Sequence, residues 1–310
     1  MSEPAVRVWR PGWPCPVGSV LAPLRRGPGD PTYRIARGGA HWRGIRTPEG
    51  PATLRLVPDV ATGTVRAEAW GSGAAWALDA VPRMLGAEDD PGGFVAHHRP
   101  VAEAWRRHRH WRIGATGLVM EALVPAVIEQ RVTGQEAYAG FRRLVRRFGE
   151  PAPGPGTDLD LWLQPAPERL RMVPSWEWLR LPVDGARSRP LVGAAGVAAG
   201  LERAGTHGPA ELDRCLTTLP GIGAWTSAEV RARALGDADA VSFGDYHVAG
   251  DVGWALTGRP VDDAGLAELL APYRPHRLRV QRLLEITGTH RPRRGPRMRP
   301  RTHLPAAVRR

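Results

Sequence analysis

The sequence contains no lysine: all 43 of its Lys+Arg residues are arginine. Arginine keeps its proton far above neutral pH, so the only amine able to attack a carbonyl carbon as a neutral nucleophile is the α-amino group. Codon bias would leave the same absence, given the abundant Ala, Gly and Pro, but the chemical consequence holds either way. Cysteine is nearly as scarce. Cys15 and Cys215 are too few for a disulfide framework, a four-cysteine zinc site or a four-cysteine iron–sulfur cluster. His108 and His110 have no neighbouring ligand pattern, and no metal site is expected there. No apolar run approaches a membrane span, and the opening MSEPAVRVWRPGWP has no signal-peptide core, so a cytoplasmic protein without membrane contact is expected.

What the chain does have is positive charge, with a formal net charge of +12 over 310 residues. Eight arginines and no acid fall in 291–310, so the body carries only +4. This tail has scattered Pro and Gly and no apolar face; it reads as disordered, either a solvated segment or a salt-dependent attractor of DNA backbone. Residues 1–92 read as a small mixed domain, with strands at 32–37, 40–47, 52–57 and 64–70 and a helix at 73–85. In 100–112, arginines interleave with Trp105 and Trp111; a solvated helix face with its tryptophans turned inward is the plainer reading, nucleic-acid binding the sharper one.

Helical period strengthens from Gly117, and two helices meet near Thr133-Gly134. The segment 151–157, PAPGPGT, reads as a loop, 158–209 as short helices with a capped start near Ser175, and 248–256, 262–270 and 275–285 as further helices. The most informative stretch is 210–246. Leu212, Leu216 and Leu219 fall at helical spacing before Pro220-Gly221-Ile222-Gly223, and Trp225, Ala228 and Ala232 do so after it. Two helices therefore meet at a very short turn, with Ile222 plugging its core. Glycines admit a phosphate oxygen to the unpaired N–H groups that begin the second helix, although an ordinary helical hairpin would be punctuated in the same way. Beyond it, Asp245 lies in an apolar and aromatic stretch, as either a tuned acid or a helix N-cap.

Leu219-Pro220-Gly221-Ile222-Gly223-Ala224-Trp225-Thr226 followed by Asp245-Tyr246 resembles the helix-hairpin-helix DNA glycosylase superfamily, in its 3-methyladenine DNA glycosylase II branch. Val127-Ile128-Glu129-Gln130-Arg131-Val132-Thr133 resembles that family's ILGQQVS segment. The resemblance implies an α+β fold: a mostly helical core in two subdomains, 93–118 with 237–290 and 119–236, behind an N-terminal antiparallel sheet with helices. It implies that Asp245 is the catalytic acid, that Trp225 and Tyr246 line the base pocket, and that Leu219, Gly221, Ile222, Gly223, Thr226, Gln130 and Arg131 meet DNA. A monovalent cation at the carbonyls of Leu219 and Ile222 is also implied, with no other cofactor. Arg131 stands where the family often carries an apolar wedge. Glu229 and Glu285 align with positions that are aromatic in relatives; they either line the pocket or lie on the surface.

The activity implied is that of a monofunctional glycosylase, a monomer on double-stranded damaged DNA, that hydrolyses the N-glycosidic bond of alkylated purines. Trp225 occupies the place of the imine-forming lysine in lyase relatives. The alternatives are a non-catalytic helix-hairpin-helix DNA-binding protein and a structural helical protein with a basic tail.

Overall fold

The computed structural model describes residues 3–292; the arginine-rich tail, from residue 293 on, lies outside the described residues. Five antiparallel strands form the first layer: β1 (Ala5–Trp9), β2 (Tyr33–Ile35), β3 (His41–Thr47), β4 (Gly50–Asp59) and β5 (Thr64–Trp70), in spatial order β1-β5-β4-β3-β2. Alternation builds its inner face. Ala52, Leu54 and Leu56 of β4, and Val65, Ala67 and Ala69 of β5, are buried at every second position. Helix α1 (Val17–Leu21) follows β1, and α2 (Ala74–Asp79) and α3 (Val81–Met84) complete this core with Leu21, Leu78, Val81 and Met84. The strands expected from 32 to 70 are present. Strand β1 is an addition to them: it is an edge strand with Val6 and Val8 exposed, so its valines mark no buried face.

Helix α4 (Arg99–His108) turns Val101 and Ala104 inward and leaves Arg106 and Arg107 in solvent. Trp111, just beyond it, is buried, in keeping with the plainer reading of this basic stretch. Helix α5 (Val119–Ile128) is buried on every side except at Glu121, which makes it the axis of the helical part. Its first N–H groups, at Val119 and Met120, donate to the Glu202 carboxylate. Helix α6 (Gly134–Phe148) starts at a capping box: the Thr133 hydroxyl accepts from Glu136 N, and the Glu136 carboxylate accepts from Thr133 N.

The segment expected as a plain loop is more structured. Strand β6 (Glu150–Pro151) pairs with β7 (Trp162–Leu163) around the one-turn helix α7 (Pro155–Asp158), and Ala152, Leu161 and Leu163 bury a small core of their own. The chain continues through α8 (Pro167–Arg171), α9 (Ser175–Arg180), α10 (Gly185–Gly196), α11 (Ala198–Thr206), α12 (Pro209–Thr217), α13 (Ala224–Ala234), α14 (Val248–Thr257), α15 (Asp263–Leu270) and α16 (Arg277–Ile286). Helix α9 begins at the expected residue, but no side chain caps it.

Helices α5, α6 and α8 to α13 share one core around Leu123, Ile128, Phe141, Leu144 and Leu216. Helices α4 and α14 to α16 share another, around Val101, Val252, Leu266 and Leu284. The segment 235–247 crosses from the first core to the second and carries Asp245. Helix α16 is fixed from below by Arg279, which is fully buried and donates twice to Asp89, at 2.6 and 3.0 Å. Among the described residues no helix is long and apolar enough to cross a membrane.

Candidate active site

Helices α12 and α13 meet through 218–223, where the Ile222 N–H donates to the Leu219 carbonyl (3.0 Å) and the Ile222 side chain is buried. The two glycines of this turn differ in what requires them. Gly221 has φ +84°, and a Cβ there would lie 2.4 Å from Cγ of Pro190 on α10, so the protein's own packing demands glycine. Gly223 has φ −103°, and a Cβ there would meet nothing within 4 Å. It faces open space beside the first turn of α13, where unpaired N–H groups suit an anion.

Several side chains at the turn and just after it face inward, while Thr218 and Pro220 are exposed. Thr226 is buried, Leu219 is half-buried, and the Gln130 amide donates to both Thr226 Oγ1 (2.8 Å) and the Gly221 carbonyl (3.0 Å). Gln130 is thus the tie between the end of α5 and the hairpin, and Ile222 and Thr226 leave their backbone rather than their side chains toward the surface. The Leu219 carbonyl, engaged by Ile222 N–H, keeps one lone pair for a cation. Among the described residues no group of three or more His, Cys, Asp or Glu is placed to hold a metal ion.

Between α5 and the capping box of α6, Gln130 is pulled toward the hairpin and Arg131 is thrust outward. Arg131 is exposed, with φ +53°, a left-handed conformation rare outside glycine that costs on the order of 1–3 kcal/mol.

Asp245 is held by three N–H groups. Its Oδ1 accepts from the backbone of His247 (2.7 Å) and Val248 (3.1 Å), at the start of α14, and its Oδ2 accepts from Trp225 Nε1 (3.2 Å). The acid is therefore engaged both with the first N–H groups of α14, whose N-cap position is His247, and with the hairpin's tryptophan. Trp225 is half-buried, whereas Tyr246 is 86% exposed and packs edge-on against His247 rather than beside Trp225.

The two glutamates are not a pair of surface residues. Glu229, one turn after Trp225 on α13, is 7% exposed and fully engaged: Arg233 Nη1 donates to Oε2 (2.5 Å), Ser242 Oγ donates to Oε1 (2.5 Å), and Arg282 Nη2 lies 3.8 Å from Oε1. Glu285 is partly exposed and accepts from Arg282 Nη1 (2.6 Å) and Gln281 Nε2 (2.9 Å). Burial works against the positive charge of Arg282, but Glu285 and Glu229, with Asp245 also near, outweigh it and raise its pKa. Arg282, Gln281 and Ser242 escaped sequence reasoning. The one signal available was that Gln281, Arg282 and Glu285 share a face of α16.

No family model and no curated sequence matches the chain. Solved structures do. A 3-methyladenine DNA-glycosylase from Archaeoglobus fulgidus superposes with a TM-score of 0.73 at 18% identity, over 91% of this chain and 98% of that one. MBOgg1 in complex with a low-affinity DNA ligand gives 0.70 at 15% identity, over 93% and 100%. The apo form of Clostridium acetobutylicum 8-oxoguanine glycosylase/lyase gives 0.69 at 10% identity, over 92% and 98%. At such identities the likeness is one of architecture: over nearly its whole described length, the chain has the α+β fold of these DNA glycosylases.

Proposed function

We propose that this chain is a monofunctional DNA glycosylase that hydrolyses the N-glycosidic bond of alkylated purines such as 3-methyladenine. The observation that carries the reading is the carboxylate of Asp245, aimed by two backbone N–H groups and the Trp225 indole to a place directly beside the hairpin. A purine alkylated on a ring nitrogen is cationic and already a good leaving group. The enzyme then needs no dedicated general acid, only a fixed negative charge to stabilise the oxocarbenium-like sugar and to guide water to it. The base must leave the stack to reach that charge, which costs least for a damaged, weakly paired base. Arg131, held outward, is placed to fill the gap with its flat guanidinium. Gly223 and the start of α13 seat a backbone phosphate. In the pocket, Trp225 supplies a face for an electron-poor base, and the half-exposed Glu285 adds negative potential that favours a cationic base over a neutral one.

The cap geometry of Asp245 would equally suit a non-catalytic DNA-binding protein, and base release separates the two. Mass spectrometry of bases freed from methylated DNA should find 3-methyladenine with the native protein. Asp245→Asn should lose activity by ~100-fold or more while holding abasic-site DNA within a few fold. DNA binding by the native protein with no base released would leave the non-catalytic reading standing.

A further inference from the structure

The N-terminal layer reaches the site through charged groups. Glu129 is the last residue before Gln130 and Arg131, and its carboxylate lies 3.1 Å from Arg26 Nε. Arg26, 5% exposed, sits in the segment after α1, where its own N–H donates to Asp30 (2.6 Å). Its Nη1 donates to the Pro23 carbonyl at 2.7 Å. The same carbonyl accepts from Arg233 Nε at 3.0 Å. Arg233 in turn binds Glu229, and Glu229 faces Arg282, which binds Glu285 at the pocket. A line of contacts thus runs from the turn that presents Arg131 to Arg282 and Glu285, near enough to Asp245 for its charge to act on Arg282, and its middle belongs to the first layer.

We propose that this line is a relay that couples the Arg131 turn to the base pocket, with Arg26 and Glu129 as positioning residues for catalysis. The inference rests on the glycosylase reading above. Its physical basis is that buried charges interact strongly, and that removing one member leaves the next uncompensated. Arg26 pairs with Glu129, and Arg233 and Arg282 pair with Glu229 and Glu285, while Arg26 and Arg233, two like charges, meet only through the Pro23 carbonyl; a shift of Glu129 when Arg131 enters DNA therefore changes how Arg26 shares that carbonyl with Arg233, and then what Arg233 leaves for Glu229. A contiguous network of paired groups is what such coupling requires, and a test of coupling is what establishes it.

The test uses the two ends of the line. Glu129→Gln and Glu285→Gln are nearly isosteric and act on partly exposed carboxylates, so both chains and the double variant should fold; melting curves verify this. Single-turnover base release from methylated DNA is then measured for all four proteins. Coupling predicts that Glu129→Gln slows release, although Glu129 touches no base. It also predicts that the double variant departs from the product of the single effects by about threefold or more, while the melting shifts simply add. Single effects that multiply within error would overturn the proposal, as would coupling seen in melting but not in rate. If the native protein binds abasic-site DNA but frees no base, the glycosylase reading fails on its own. The relay is then judged by the same cycle on abasic-site affinity, where independent effects overturn it and coupled effects sustain it.

Discussion

Burial alone would push the Glu229 carboxyl above its ordinary value, yet Arg233, Arg282 and the Ser242 hydroxyl outweigh burial and bring it down to about 2. A folded-state value below the ordinary 4.5 means that the stabilisation is complete above that pH and is lost as pH falls toward about 2. Glu229→Gln lacks this stabilisation. The stability difference between native and variant proteins, from denaturant midpoints, should therefore hold steady from neutral pH to roughly 5 and shrink below about 4.5. A difference that stays constant through the acid range would mean that the ionised form is not what the arginines hold. Glu229 also marks a limit of the sequence at this scale. Asp245 and Trp225 were legible because their motif is local. The burial of Glu229 was not, because Arg233 apart, its partners lie on a different helix and on the loop after its own.

At the scale of elements, the hairpin turn holds two glycines with different employers. Gly221→Ala should destabilise the fold by about 1–3 kcal/mol, since the backbone is left-handed and Pro190 blocks the new methyl. Gly223→Ala should leave the melting temperature nearly unchanged but weaken DNA binding, because its Cβ meets only the space a phosphate would fill. Titration of both folded variants against duplex DNA separates the roles; unchanged affinity for Gly223→Ala would make the hairpin purely structural. The elements themselves were mostly readable. Pro and Gly punctuated β2 to β5, and apolar period gave α5, α6, α12 and α13. The misses have physical causes: β1 is a short edge strand with exposed valines, and β6 and β7 are two-residue strands without a pattern of their own, β6 exposed and β7 held through Leu163 in a small core with Trp42 and Leu159.

For the molecule as a whole, the absence of lysine bears on the product that the proposed glycosylase activity would leave: an intact abasic site. Strand cutting by β-elimination needs an imine to the opened sugar, and no side chain here can form one. Borohydride should trap no covalent enzyme–DNA adduct, and alkylated DNA should break only after later treatment with alkali. A trapped adduct would point to the α-amino group, the sole amine with a pKa low enough to react. The sequence showed residues 1–92 as a small mixed domain without a site, because the contacts of this layer toward Asp245 pass through groups that no motif records. The Pro23 carbonyl is the extreme case. Two guanidinium groups converge on a main-chain oxygen that every residue type would supply. Replacing side chains one at a time would cross that position without disturbing the junction, and natural drift at residue 23 is equally blind to it. Only an alteration of the backbone itself, such as a thioamide introduced by chemical synthesis, would reveal how much the junction carries.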